Sequence, residues 1–256
     1  NAHAGDLVPM RLPMPGAFDH VLVRAEIDGA SLWLDGTSSG DRLADLDNVP
    51  PFRHVLPLRE TGAELIALPI RASARPEVDA EIDFDQRAGI HLPAPFQAKV
   101  TMRGQVVQVM RGAAAAVGKE EINRLADGVI AEYVKGATLV RRQLSFDDAT
   151  GTAVVTATGI AYPDWSRDNA RYKVTLDSAV QNINFTPDRS RTAWRDLPVA
   201  TGNPGHARLR VAYRLPRGGE GFALEGDEKL PPQLAGRLLQ RSVSLDAGVL
   251  RVEDRT

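Results

Sequence analysis

Between residues 20 and 36 the chain alternates twice between apolar and polar positions. Val21, Val23, Ala25 and Ile27 are separated by more polar neighbours, and after Asp28-Gly29 the alternation resumes at Leu32 and Leu34. A period of two marks a half-buried strand. Asp-Gly between two such runs marks a type I′ turn, because both central positions need positive φ. The predicted register pairs Ile27 with Ala30, Ala25 with Leu32 and Val23 with Leu34, which gathers the apolar side chains on one face. On the other face Leu22 lies across from Asp35 and His20 is diagonal to it, a separation of roughly 7–8 Å between backbone positions. A carboxylate there is placed to accept a hydrogen bond from one imidazole nitrogen, leaving the other as a base. A slip of one residue would send the two groups to opposite faces.

Most of the remaining chain carries the same short alternation, broken by turn residues. Strands are predicted at Arg53–Leu58, Glu64–Pro69, Glu77–Asp85, Thr138–Phe146, Thr152–Tyr162 and Arg171–Leu176. Others follow at Ala207–Leu215, Gly221–Glu225, Leu239–Leu245 and Val249–Glu253. Phe96–Arg111 reads as two strands or one long bent strand. Asp147-Asp148-Ala149-Thr150-Gly151 and Arg217-Gly218-Gly219-Glu220-Gly221 are strong turns. One clear helix is predicted near 119–135, where Ile122, Leu125, Ala126, Val129, Ile130, Tyr133 and Val134 recur at three- and four-residue spacing. Glu120 and Glu121 suit its N-terminal dipole and Gly136 is placed to end it. Pro231–Gly236 is predicted to form a short helical turn. The expected class is mainly β with one amphipathic helix, an α+β chain. A boundary is expected near 70–76, and residues 71–256 are expected to form an antiparallel, β-sandwich-like domain.

Composition narrows the function classes. The 256 residues are 43% hydrophobic, enough for a real core, and the net charge of -2 with scattered Lys and Arg argues against a general nucleic-acid binder. No apolar run approaches the ~20 residues of a membrane span, so no membrane insertion by this segment is expected. There is no cysteine, which removes disulfides and thiolate metal sites. His3, His20, His54, His91 and His206 lack metal-ligand spacing, and phosphate-loop and dinucleotide motifs are missing, so no metal and no cofactor is predicted. Asp79, Glu81, Asp83 and Asp85 alternate along one strand and read as a solvated face, which would discourage aggregation at an edge. Tyr162, Trp165, Tyr172 and Trp194 read as plugs at the ends of the core, with stacking on sugars as the alternative. Asn184-Phe185-Thr186 matches a glycosylation sequon and reads as a chance match.

Phe18-Asp19-His20-Val21, the Asp-Gly turn and Trp33-Leu34-Asp35-Gly36-Thr37 together resemble the second half of bacterial transglutaminase-like domains, members of the wider papain-like group. The usual family pattern reads Phe-Asn-His and then Trp-Leu-Asp-Pro-Thr; here Asp19 replaces the Asn and Gly36 the Pro. The likeness covers about twenty residues and continues more weakly through Asn48-Val49-Pro50-Pro51 and Val55-Leu56-Pro57-Leu58. It implies that His20 is the base and Asp35 the orienting residue of a Cys-His-Asp triad, with Phe18, Trp33 and Thr37 in supporting positions. It further implies that residues 1–70 are the C-terminal β half of such a domain and that the nucleophilic Cys starts a helix upstream, outside this sequence. Ser38 and Ser39 read as a polar loop, not as substitute nucleophiles. On this reading the chain is catalytically incomplete. Its partner is the missing Cys-bearing half, and the parent performs acyl transfer or amide hydrolysis on a peptide or protein. A location in the bacterial envelope or periplasm is implied by the resemblance alone. The alternative is a non-enzymatic binding or scaffolding module that recognises a glycan, a peptide or an envelope protein.

Overall fold

The structure, a computed structural model, describes residues 5–37, 52–69, 72–176, 188–196, 205–226, 232–234 and 236–256. The chain divides into two compact units, one reaching Arg75 and the other beginning at Pro76. Among the described residues it is mainly β with two α-helices.

The first unit opens with short 3₁₀ turns at Gly5–Met10 and Pro15–Ala17. A hairpin follows, formed by β1 (Val23–Ile27) and β2 (Ala30–Leu34). Its register pairs Val23 with Leu34, Ala25 with Leu32 and Ile27 with Ala30, as the alternation predicted. Asp28 at φ 52° and Gly29 at φ 78° supply the two positive-φ positions of the turn. Among the described residues the segment after it contributes the two-residue strands β3 (His54–Val55) and β4 (Ile66–Ala67), shorter than the alternation suggested.

The second unit is built on β5 (Val78–Asp85), β6 (Ala94–Met102), β7 (Thr138–Asp147), β8 (Thr152–Ala161), β9 (Ser166–Asp168), β10 (Arg171–Lys173), β11 (Ala207–Arg214), β12 (Gln233–Leu234), β13 (Arg237–Leu238), β14 (Gln240–Asp246) and β15 (Val249–Arg255). Seven of these form one sheet in the order β14-β15-β11-β5-β6-β8-β7. The β11–β5 pair is parallel and every other pair is antiparallel. β9 and β10 form one separate pair, β12 and β13 another. Gly221–Glu225, predicted as a strand, is irregular backbone, and Arg171–Leu176 is strand only to Lys173. Gln233 and Leu234, expected in a helical turn, are strand paired to Leu238 and Arg237. Pro231, Ala235 and the sequon at 184–186 lie outside the described residues.

Two helices cover one face of this sheet, where one was predicted. The first, α1 (Gln105–Ala115), replaces the second half of the long strand expected at Phe96–Arg111. β6 stops at Met102, Gly104 follows at φ 71°, and an alanine-rich tail favours helix beyond it. Val107 and Met110, three residues apart, then point inward. The second, α2 (Lys119–Ala131), follows the predicted stripe but stops earlier, with Tyr133 and Val134 continuing in a turn before Gly136 at φ 66°. α2 packs across β7, β8 and β6, while α1 meets β8. Between helices and sheet lie Ala80, Ile82, Phe84, Phe96, Val100, Val107, Ala126, Ile130 and Val155, all buried. Each fully buried Val, Ile or Phe side chain among them contributes about 1.5–3 kcal/mol. Gly159 on β8 marks a close approach: a Cβ there would sit 2.4 Å from the carbonyl oxygen of Thr138. The neighbouring strand is bulged between Leu139 and Arg141.

The acidic strand is not an edge. β5 lies inside the sheet, and its carboxylates meet arginines of β11 in parallel register: Arg208 beside Asp79, Arg210 beside Glu81, Arg214 beside Asp85. Asp79 is buried and bonded to Arg208 and Arg210. Burial works to raise its pKa, but the hydrogen bond and charge of Arg208, then Arg210, hold it below the ordinary value. Glu81 pairs with Arg210 and Asp83 reaches Arg214 at 3.5 Å. One of the two edge strands, β14, carries Arg241 directed inward onto Asp254 of β15, with bonds of 2.6 and 2.8 Å. Both side chains are buried, at 8% and 2% exposure. An inward charge on an edge strand also discourages pairing with another chain.

Candidate functional site

The hairpin brings His20 and Asp35 together. His20 Nε2 donates to Asp35 Oδ2 at 2.7 Å, although the two residues are fifteen positions apart in sequence. The pairing depends on the Asp28-Gly29 turn, since only its register sets the two residues diagonally on one face. The other oxygen of the carboxylate is taken by Thr37, whose backbone N–H donates to Oδ1 at 2.9 Å and whose hydroxyl donates at 2.7 Å.

These donors stabilise the ionised carboxylate. The Thr37 hydroxyl has the largest effect, burial opposes it, and the Thr37 amide and His20 add to it, so the pKa falls from 3.8 to about 2. Asp35 is therefore a carboxylate at neutral pH. Both side chains are about one-quarter exposed, which leaves the imidazole reachable from solvent. Among the described residues no group bonds His20 Nδ1. A neutral imidazole that donates from Nε2 keeps its lone pair on Nδ1, the form a general base requires.

One aromatic ring meets the pair, and the rest of the hairpin frames it. Phe52 lies against the imidazole, with ring centroids 5.3 Å apart and planes inclined at 31°. The sequence did not single out Phe52, because it stands fifteen residues beyond the motif and only the fold brings it back. Arg24 lies over the Trp33 ring at 5.8 Å and pairs with Glu26, and Ser31 bonds to both charged groups. Phe18, the remaining motif residue, is half-buried. The apolar side of the same hairpin is open: Val21 is 72% exposed, Val23 59% and Ile27 54%. Ser38, Ser39 and 48–51 lie outside the described residues.

Other candidate chemistry is dispersed. Among the described residues no group of three or more His, Cys, Asp or Glu is gathered as a metal site, and no helix is long and apolar enough to cross a membrane. The four aromatic residues expected to plug the core do so incompletely. Tyr162 is 69% exposed and Tyr172, edge-on to His91, is 41% exposed. Their strand-end and hairpin positions keep them outside the helix–sheet layer. Trp165 meets Phe222 edge-on, and Trp194 lies under Arg191, so both indoles are engaged within the chain. A shallow groove of about 260 Å³ crosses the charged side of the sheet, bordered by Glu81, Asp83, Arg210, Ser242, Ser244 and Arg251.

The chain was compared with protein-family models, curated proteins and solved structures, and none of them matches it.

Proposed function

We propose that the first unit supplies the base and the orienting carboxylate of a transglutaminase-like acyl-transfer site, with the nucleophile contributed by a Cys-bearing half upstream. The observation that carries the reading is the His20–Asp35 contact at 2.7 Å. Its frame is the motif Phe18-Asp19-His20 and Trp33-Leu34-Asp35-Gly36-Thr37.

In this proposal His20 Nδ1 takes the thiol proton, and the thiolate attacks the acyl carbon of a peptide or protein amide. The imidazolium, stabilised by Asp35, returns the proton to the departing amine. A second amine or water then attacks the thioester with His20 again as base, giving acyl transfer or hydrolysis. Asp35 does not take the proton: a carboxyl with a pKa of about 2 stays ionised while the imidazolium forms. With no cysteine in its 256 residues, the chain alone is expected to be inert in this chemistry. An envelope or periplasmic setting belongs to the same proposal.

The test is to express the chain with its native upstream region and assay glutamine–amine crosslinking and peptide hydrolysis. Replacing His20→Ala is expected to lower turnover by roughly 10²–10⁴-fold, the usual worth of general acid–base catalysis. Unchanged turnover would remove His20 from the mechanism.

A further inference from the structure

We infer that Thr37 and Phe52 are positioning residues that together set the tautomer and the aim of the His20 imidazole. The functional meaning of this clamp rests on the acyl-transfer reading, whereas the clamp itself is a property of this chain alone.

The two oxygens of Asp35 have separate duties. Oδ1 receives both Thr37 donors, and Oδ2 is left for His20. A carboxylate anchored at one oxygen by two donors does not rotate unless both bonds break. Oδ2 therefore stays directed at the imidazole. The paired ladder ends at Val23–Leu34, and His20, Asp35 and Thr37 meet just beyond it through side-chain bonds. Phe52 limits the ring from another side, with its centroid 5.3 Å from that of the imidazole. Between them the two contacts restrain the two motions that would undo the pair, rotation of the carboxylate and swing of the ring. A positioned base gains much of its effect from such restraint. An Asp-x-Thr turn that merely closed the hairpin would have no influence on which ring nitrogen carries the proton.

The experiment is long-range ¹H–¹⁵N NMR of the His20 ring in the whole chain, at a pH where the imidazole is neutral, with the resonance assigned from its loss in His20→Asn. The wild-type ring is expected to be dominated by the Nε2–H form. Thr37→Val keeps the shape but removes the hydroxyl donor, and is expected to shift the tautomer ratio roughly two- to tenfold, the worth of one hydrogen bond. Thr37→Ser restores the wild-type ratio. Phe52→Leu is expected to broaden or shift the ring signals, and Phe52→Tyr to retain them. If the ratio is unchanged in a Thr37→Val chain whose hairpin amide shifts are native, the clamp is wrong. If Thr37→Val unfolds the hairpin, Phe52→Leu decides, and an unaltered ring there overturns the inference. The two proposals separate cleanly. A responsive tautomer together with a fully active His20→Ala parent would leave the clamp standing and remove the acyl-transfer reading, and the reverse pair of results would do the opposite.

Discussion

The hairpin β1–β2 and the seven-stranded sheet obey the same alternation and use it differently. Along β6 every inward residue is buried, from Ala94 to Met102, with α1 and α2 present on that side of the sheet. Along β1 the same alternation leaves Val23 and Ile27 more than half exposed. Period-two patterning sets which side chains share a face, but not whether anything lies over that face. The sheet is held by its core. The hairpin is held by its turn and by its polar side, where Arg24, Glu26 and Ser31 form one network and His20, Asp35 and Thr37 another. A surface whose order comes from polar contacts is suited to chemistry, since its ionisable groups are restrained without being buried.

The largest expected effect lies in the sheet. Arg241→Ala leaves Asp254 charged and buried without its partner and is expected to cost about 3–5 kcal/mol in denaturant unfolding. The double change Arg241→Met with Asp254→Leu is expected to recover most of that loss. A single change costing under ~1 kcal/mol would mean that the pair is solvated.

The contrast in burial gives the next test. Ile130, 1% exposed on α2, is expected to cost about 2–5 kcal/mol as Ile130→Ala. Ile27, 54% exposed on the hairpin, is expected to stay within about 0.5 kcal/mol as Ile27→Ala. Equal costs would mean that the apolar side of the hairpin is covered after all.

The smallest effect is in acid. Because the pKa of Asp35 is lowered from 3.8 to about 2, its contribution to folding is complete above about pH 4 and is lost as pH falls through 2. The carboxylate is partly exposed, so the change in stability is small, and the side-chain ¹³C shift of Asp35 is the better monitor. A midpoint near 3.8 would show that the Thr37 and His20 bonds do not hold it.

The sequence made local features legible and left non-local ones hidden. Asp28-Gly29 determines the hairpin register from two adjacent residues, and with it the meeting of His20 and Asp35. The stripe from Ile122 to Val134 marked α2 because all its partners lie on one face. By contrast, Val106, Val107, Val109 and Met110 read as a continuation of β6, and only the break at Gly104 turns them into a helix. The arginines that neutralise Asp79 and Glu81 stand 129 residues away across a parallel pairing, so a strand of carboxylates looked like a solvated edge. The sandwich-like expectation for 71–256 counted strands correctly in kind. Their order, with β11 between β5 and β15, joins the main strands into one sheet whose covering layer is helical. Phe52 is invisible to motif reading for the same reason, since its contact with His20 depends on chain return.

In the proposed reaction His20, oriented by Asp35, takes the proton of a cysteine thiol. That role is tested most directly by the rate of alkylation of that thiol against pH in the parent protein, a measurement that needs no knowledge of the substrate. A His-paired thiolate reacts well below the free-thiol pKa of about 8.5. Rapid alkylation near pH 6 is expected, with His20→Ala moving the profile up to the free-thiol range and Asp35→Ala moving it part of the way. A profile that is the same with and without His20 would contradict it.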